Sequence, residues 1–194
     1  SVTVNCYAPV VSKDANTSYT RTFTWEITKD YDGTYDKFIG DPATSHDYEV
    51  SVDQTINESS FVVTGTITVQ NPNPNAAMTV SLVDSVDGVA ATLDCGGTLV
   101  VPAGSSATCD YSAELAAKAD GTNTATATLN SIDFDATAAY AFGDPTPVVG
   151  SSSINVSDTN GQSWTASGDD SWTYSKDFVC SSDPADYTNG FYSF

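Results

Sequence analysis

Basic residues are scarce in this chain: six Lys and Arg stand against 25 Asp and Glu, a net charge of -19. Such a surface repels phosphate backbones and anionic bilayers, so no nucleic-acid partner is expected. Four cysteines show no CxxC spacing and His46 is the sole histidine, which is poor support for a zinc site. His46, in TSHDYEV, reads as a surface loop residue, and no Ser or Cys has an evident activating base. No carboxylate falls inside an expected apolar strand, where burial would tune its pKa, so no enzyme is expected. No run of 18 apolar residues is present, and membrane insertion is not expected. Helix-favouring Leu, Lys and Arg are few, and only Glu26, Glu49, Glu58 and Glu114 are glutamates.

What remains is rich in Thr, Ser, Val and aromatics, which predicts an almost all-β protein. At 194 residues and 40% hydrophobic, the chain can bury a substantial core. TRTFTWEIT (residues 20–28) alternates, with Arg21, Phe23, Trp25 and Ile27 on one face. YEVSV (48–52) repeats the period, and FVVTGTITV (61–69) follows after a polar loop. NPNP (71–74) forbids ladder donation at two positions and must be a turn or sheet-crossing link. Further strands are expected over 79–83, 90–95, 98–101, 107–115, 122–129 and 136–142, with ELAAKAD the one stretch suited to a helical turn. This pattern predicts an immunoglobulin-like antiparallel β-sandwich over residues 8–147, with FGDPTPVVG as a linker.

Residues 148–194 partly repeat the sandwich. VSLVDSVDG (80–88) is echoed by INVSDTNG (154–161), ATCDYSAEL by DFVCSSDPA and GTNTATATL by YTNGFYSF, matching Asp84, Cys109 and Asn123 to Asp158, Cys180 and Asn189. The second copy lacks a last strand, which leaves Phe191, Tyr192 and Phe194 along an open apolar edge. The chain opens on SVTVNCY, which reads as that missing strand: Val2, Val4 and Cys6 face one way. Residues 1–7 are thus expected to be a donor strand that completes a smaller, incomplete β unit. CGGTLVVPAGSSATC folds back as a hairpin, pairing Cys95 with Cys109 and leaving Cys6 for Cys180; two disulfides imply an oxidising compartment.

The succession SVTVNCYA, YTRTFTWEITK, VTGTITVQNPNPNAA, PAGSSATCDYSAEL and GTNTATATL resembles the repeated immunoglobulin-like modules of large secreted bacterial surface proteins. The resemblance covers nearly the whole chain. It implies a structural role at the cell surface, and it carries no catalytic residue.

Function follows as an expectation: an extracellular filament subunit that polymerises with copies of itself by strand donation. The alternative is an adhesin stalk or carbohydrate-binding module whose strand closes its own chain. Surface glycans are the second candidate partner, and Trp164 and Trp172 the candidate stacking platform, whereas Trp25 is expected in the core. Sequons at Asn16, Asn57 and Asn155 permit glycosylation. No cofactor is expected; calcium is the one candidate metal, at DYDGTYD through Asp30, Asp32 and Asp36, although Gly33 is misplaced for a helix-flanked calcium loop and the acidic-turn reading leads. Lys29 and Lys176 lie beside aromatic strands and are read as surface lysines rather than as partners of an asparagine in an amide cross-link.

Overall fold

A computed structural model describes residues 1–30 and 33–193, and among them the chain is all-β apart from one 3-10 turn, Pro184–Asp186. The strands are β1 (Val10–Lys13), β2 (Asn16–Asp30), β3 (Thr44–Gln70), β4 (Met78–Val86), β5 (Val89–Ala90), β6 (Thr92–Leu93), β7 (Thr98–Val101), β8 (Ser106–Leu115), β9 (Gly121–Leu129), β10 (Ile132–Tyr140), β11 (Val148–Val149), β12 (Ile154–Ser157), β13 (Ser163–Ala166) and β14 (Asp170–Phe178). Among the described residues, β11 pairs parallel with β2, whereas β1, β8 and β14 on β3, β6 on β8, β5, β7 and β9 on β4, β10 on β9 and β12 on β13 are antiparallel. The segment before β1 joins no sheet, and ELAAKAD ends β8 without forming a helix.

Two compact units emerge: unit 1 comprises Ser1–Thr22 and Asn57–Val149, and unit 2 comprises Phe23–Ile56 and Gly150–Phe194. These divisions fall elsewhere than the 147/148 boundary read from sequence. The reason is strand pairing. Nine residues of β14 pair with the first part of β3, from Asp170↔Val52 to Phe178↔Thr44, so residues after the linker recruit a stretch far earlier in the chain. The polar loop expected between YEVSV and FVVTGTITV is absent: β3 is continuous there, with Ser60 at φ 57 marking a local irregularity.

In unit 1, β1 and β8 flank β3, with Lys13 opposite Ile67 and Tyr111 opposite Gly65. The second sheet runs β10-β9-β4-β5, with β7 also on β4. Strict alternation along β4 turns Met78, Val80, Leu82, Asp84 and Val86 inward, and β9 answers with Asn123, Ala125 and Ala127. These pack against Val63, Ile67, Val69, Cys109, Tyr111 and Ala113 of the facing sheet. Each fully buried Val or Leu stabilises by about 1.5–3 kcal/mol. Two-residue turns close the hairpins where both central residues adopt positive φ: Asp87-Gly88 (47° and 86°) between β4 and β5, and Asn130-Ser131 (52° and 65°) between β9 and β10.

Unit 2 has a smaller core. Val50, Val52, Val156 and Ala166 are buried, with Trp25, Ile154, Trp164, Trp172 and Tyr174 packed around them. Ile27, expected to face inward with Trp25, is exposed, because it lies toward the outer end of β2.

Candidate functional site

The N-terminal segment carries exposed apolar side chains and lies outside every sheet. Val2 is 92% exposed and Val4 77%, and Cys6 is an exposed thiol. In unit 2, β14 has a strand neighbour on one side only among the described pairings. Of the expected acceptor edge, Phe191 is 70% exposed, Tyr192 packs on Tyr187 at 5.7 Å, and Phe194 lies outside the described residues. Phe191 and Tyr192 do not form a strand. Asn189-Gly190 (φ 53° and 77°) makes a tight turn, with Thr188 and Phe191 exchanging backbone hydrogen bonds of 2.9 and 3.0 Å.

Cys95 and Cys109 form a disulfide. Its structural cause differs from the hairpin read in sequence: β7 pairs with β4 and β8 with β3, in different sheets. Cys95 instead follows β6, which lies beside β8 with Leu93 opposite Tyr111, and Asp94 N–H donates to the Asp110 carbonyl at 3.0 Å. Cys180 is a half-buried thiol. Asp94, Cys95 and Cys109 cluster, but a disulfide removes both thiolates as metal ligands.

Of the calcium candidates, Asp30 and Asp36 are exposed and Asp32 lies outside the described residues. The sequon residues Asn16, Asn57 and Asn155 are all exposed. Trp164 and Trp172 stack at 5.1 Å and 8°, both half-buried in the packing of unit 2. His46 is a strand residue rather than a loop residue, set edge-on to Tyr48 at 4.8 Å.

Two lysine–aspartate pairs stand out, one in each unit and at the two aspartates that the internal echo matches. In unit 2, Lys29 Nζ lies 2.7 Å from Asp158 and over the rings of Tyr48 and Tyr174, at 4.9 and 5.5 Å. The hydrogen bond to Asp158, then that to Tyr174, raises the Lys29 pKa, and the same lysine holds the Asp158 carboxyl below its ordinary range. This lysine side chain is 37% exposed, and exposed Lys176 sits over Phe178 at 5.3 Å.

In unit 1 the pair is sealed. The Lys13 ammonium bonds Asp84 Oδ1, and both side chains are fully buried. The lysine nitrogen sits 4.2 Å from the centroid of the Tyr111 ring, whose hydroxyl donates to the Asp14 carbonyl at 2.7 Å. Asn123 is wholly buried. Neither of its amide atoms, nor Asp84 Oδ2, has a hydrogen-bond partner of ordinary geometry. Burial pushes the Tyr111 hydroxyl up to about 12, against an opposing pull from the neighbouring Asn123 amide; Asp84 adds to the rise. Burial also lowers the Lys13 pKa, outweighing the upward pull of Asp84 and Asp14. Asp84 thus overturns the expectation that no carboxylate enters an apolar strand. The strand expected over 79–83 runs on to Val86, and the period of two carries Asp84 inward.

Comparison with known protein families, with curated proteins and with solved structures returns no match. Among the described residues, no helix is long and apolar enough to cross a membrane.

Proposed function

We propose that the protein is a structural subunit of an extracellular filament, built from an immunoglobulin-like sandwich and a second β unit completed by the N-terminal strand of a neighbour. The observation that carries this reading is an apolar, alternating segment outside every sheet, with Val2 and Val4 exposed. The open side of β14 and the exposed Phe191 are the acceptor surface in unit 2. Strand addition supplies main-chain hydrogen bonds, and burying Val2 and Val4 stabilises by about 1.5–3 kcal/mol each. Head-to-tail contacts of this heterologous kind do not close, so they grow fibres. Cys6 of one subunit and Cys180 of the next then staple the joint, the two thiols giving up two protons and two electrons to the disulfide donors of an oxidising compartment.

A non-reducing denaturing gel of native material tests this. A ladder that collapses to about the 20.3 kDa subunit on reduction is expected. Deleting Ser1–Asn5 should leave folded subunits that do not polymerise, and fibres of normal length from that variant would sink the proposal. A 20.3 kDa band in both lanes, with monomers in native solution and a positive glycan array, would replace it with a self-closed carbohydrate-binding module.

A further inference from the structure

The buried cluster of Lys13, Asp84, Tyr111 and Asn123 needs a physical account that the strand-donation reading does not give, and it stands independently of that reading. An ion pair withdrawn from water is costly unless every remaining lone pair and proton is satisfied. Here Asp84 Oδ2 and both polar atoms of the Asn123 side chain are left without ordinary partners. A buried amide lacking hydrogen bonds costs about 1–3 kcal/mol, and native cores hold few such groups. Three unsatisfied atoms on two buried side chains, one of them paired with the lysine, are therefore unlike a settled structural network.

They resemble the reactants of a condensation. β1 brings Lys13 from one sheet of unit 1, and β4 and β9 bring Asp84 and Asn123 from the other. Val86 pairs with Asn123 and Asp84 with Ala125, so the carboxylate and the amide are diagonal neighbours on the inward face of adjacent strands. The Tyr111 ring covers the lysine nitrogen, and its hydroxyl is held by Asp14 and kept near the Asn123 amide. Gly65, opposite Tyr111, leaves the room this requires: a Cβ there would lie 2.8 Å from the Tyr111 hydroxyl and 2.4 Å from the Asp14 carbonyl.

We infer that Lys13 and Asn123 form an intramolecular amide cross-link, with Asp84 as the proton carrier. The Lys13 amine nitrogen bonds to Cγ of Asn123, the Cγ–Nδ2 bond breaks, and ammonia leaves. No electron is exchanged and no co-reactant is consumed. Asp84, already bonded to Nζ, takes the proton that the attacking nitrogen sheds and delivers it to the departing nitrogen. Two features of the site favour the reaction. Burial drives Lys13 toward its neutral, nucleophilic form, and fixed placement of amine and amide replaces a bimolecular encounter. The product removes a buried charge and gives the Asn123 carbonyl a covalent partner, leaving a neutral secondary amide in the core. It joins β1, which follows the proposed donor segment, directly to β9 of the opposite sheet.

Lys29 is the internal control. It also faces an aspartate and a tyrosine, but its side chain is open to water and its raised pKa keeps it charged. Its amine stays free in the monomer.

Intact-mass spectrometry of the denatured, disulfide-reduced full chain decides the matter. The expected mass is one ammonia below the sequence mass, with the Lys13 and Asn123 peptides recovered as one joined species after lysine-specific proteolysis. The full sequence mass would overturn the inference. So would an ammonia deficit with the two peptides separate, because cyclisation at an asparagine loses the same ammonia without a cross-link. Lys13→Met and Asp84→Ala should each restore the sequence mass in folded protein. A folded Asp84→Ala chain that still carries the joined peptides would remove Asp84 from the reaction. If either variant fails to fold, the mass and peptides of the unaltered chain still give the answer.

Discussion

Gly65 illustrates how much can rest on a missing side chain. Its backbone is not in the left-handed region, so the requirement is spatial: the Asp14 carbonyl and the Tyr111 hydroxyl occupy the volume a Cβ would need. Gly65→Ala should destabilise unit 1 by roughly 1–3 kcal/mol, read as a lower urea midpoint, because backbone atoms must shift to admit it. At Lys29 and Asp158 the effect depends on pH. The Asp158 pKa is depressed in the folded state, so the contribution of the pair is present above the ordinary carboxylate pKa of 3.8 and lost as pH falls through the lower, folded value. Asp158→Asn should lower the melting temperature of unit 2 at neutral pH and flatten its decline in acid; an unchanged acid limb would show that the pair contributes nothing there.

Among elements, the NPNP turn was legible as a turn, but its anchor was not. Asn71 is wholly buried, its amide donating to the carbonyls of Ala76 at 2.8 Å and of Val101 and Pro102 at 3.2 Å, while its Oδ1 accepts from Asn73 N–H at 2.9 Å. Asn71→Ala should cost about 1–3 kcal/mol in denaturant melts, since it strands buried carbonyls. The Cys95–Cys109 partnership was legible too, though for a different structural reason, since spacing announces proximity but not which strands produce it. Reduction should lower unit 1 stability by about 3 kcal/mol, the chain-entropy value for a loop of this size. The candidate cluster was the least legible. Lys13 closes the short strand β1, Asp84 sits beside turn residues in VDSVDG, and Asn123 looks like one more polar residue in a Thr-rich strand.

For the whole molecule, the two units differ in how much apolar surface they bury. Unit 2 holds four buried hydrophobic residues in its core cluster among the described ones, against fifteen in the main cluster of unit 1. Amide hydrogen exchange should therefore be faster across β12–β14 than across β4, β8 and β9, where opening must expose the larger core. Equal protection in an isolated monomer would contradict this.

Composition and period-two alternation by themselves determined the all-β class, most strand positions and the turn punctuation, because these depend on local propensity and on which side chains avoid water. The tertiary structure alone decided that β14 pairs with the start of β3, and that Lys13, Asp84 and Asn123 meet in one sealed core. Alternation assigns a residue to one of two faces but does not say which strand lies beside it or which sheet lies opposite. Those choices are made by long-range pairing, and only there do three ordinary polar residues become a buried chemical site.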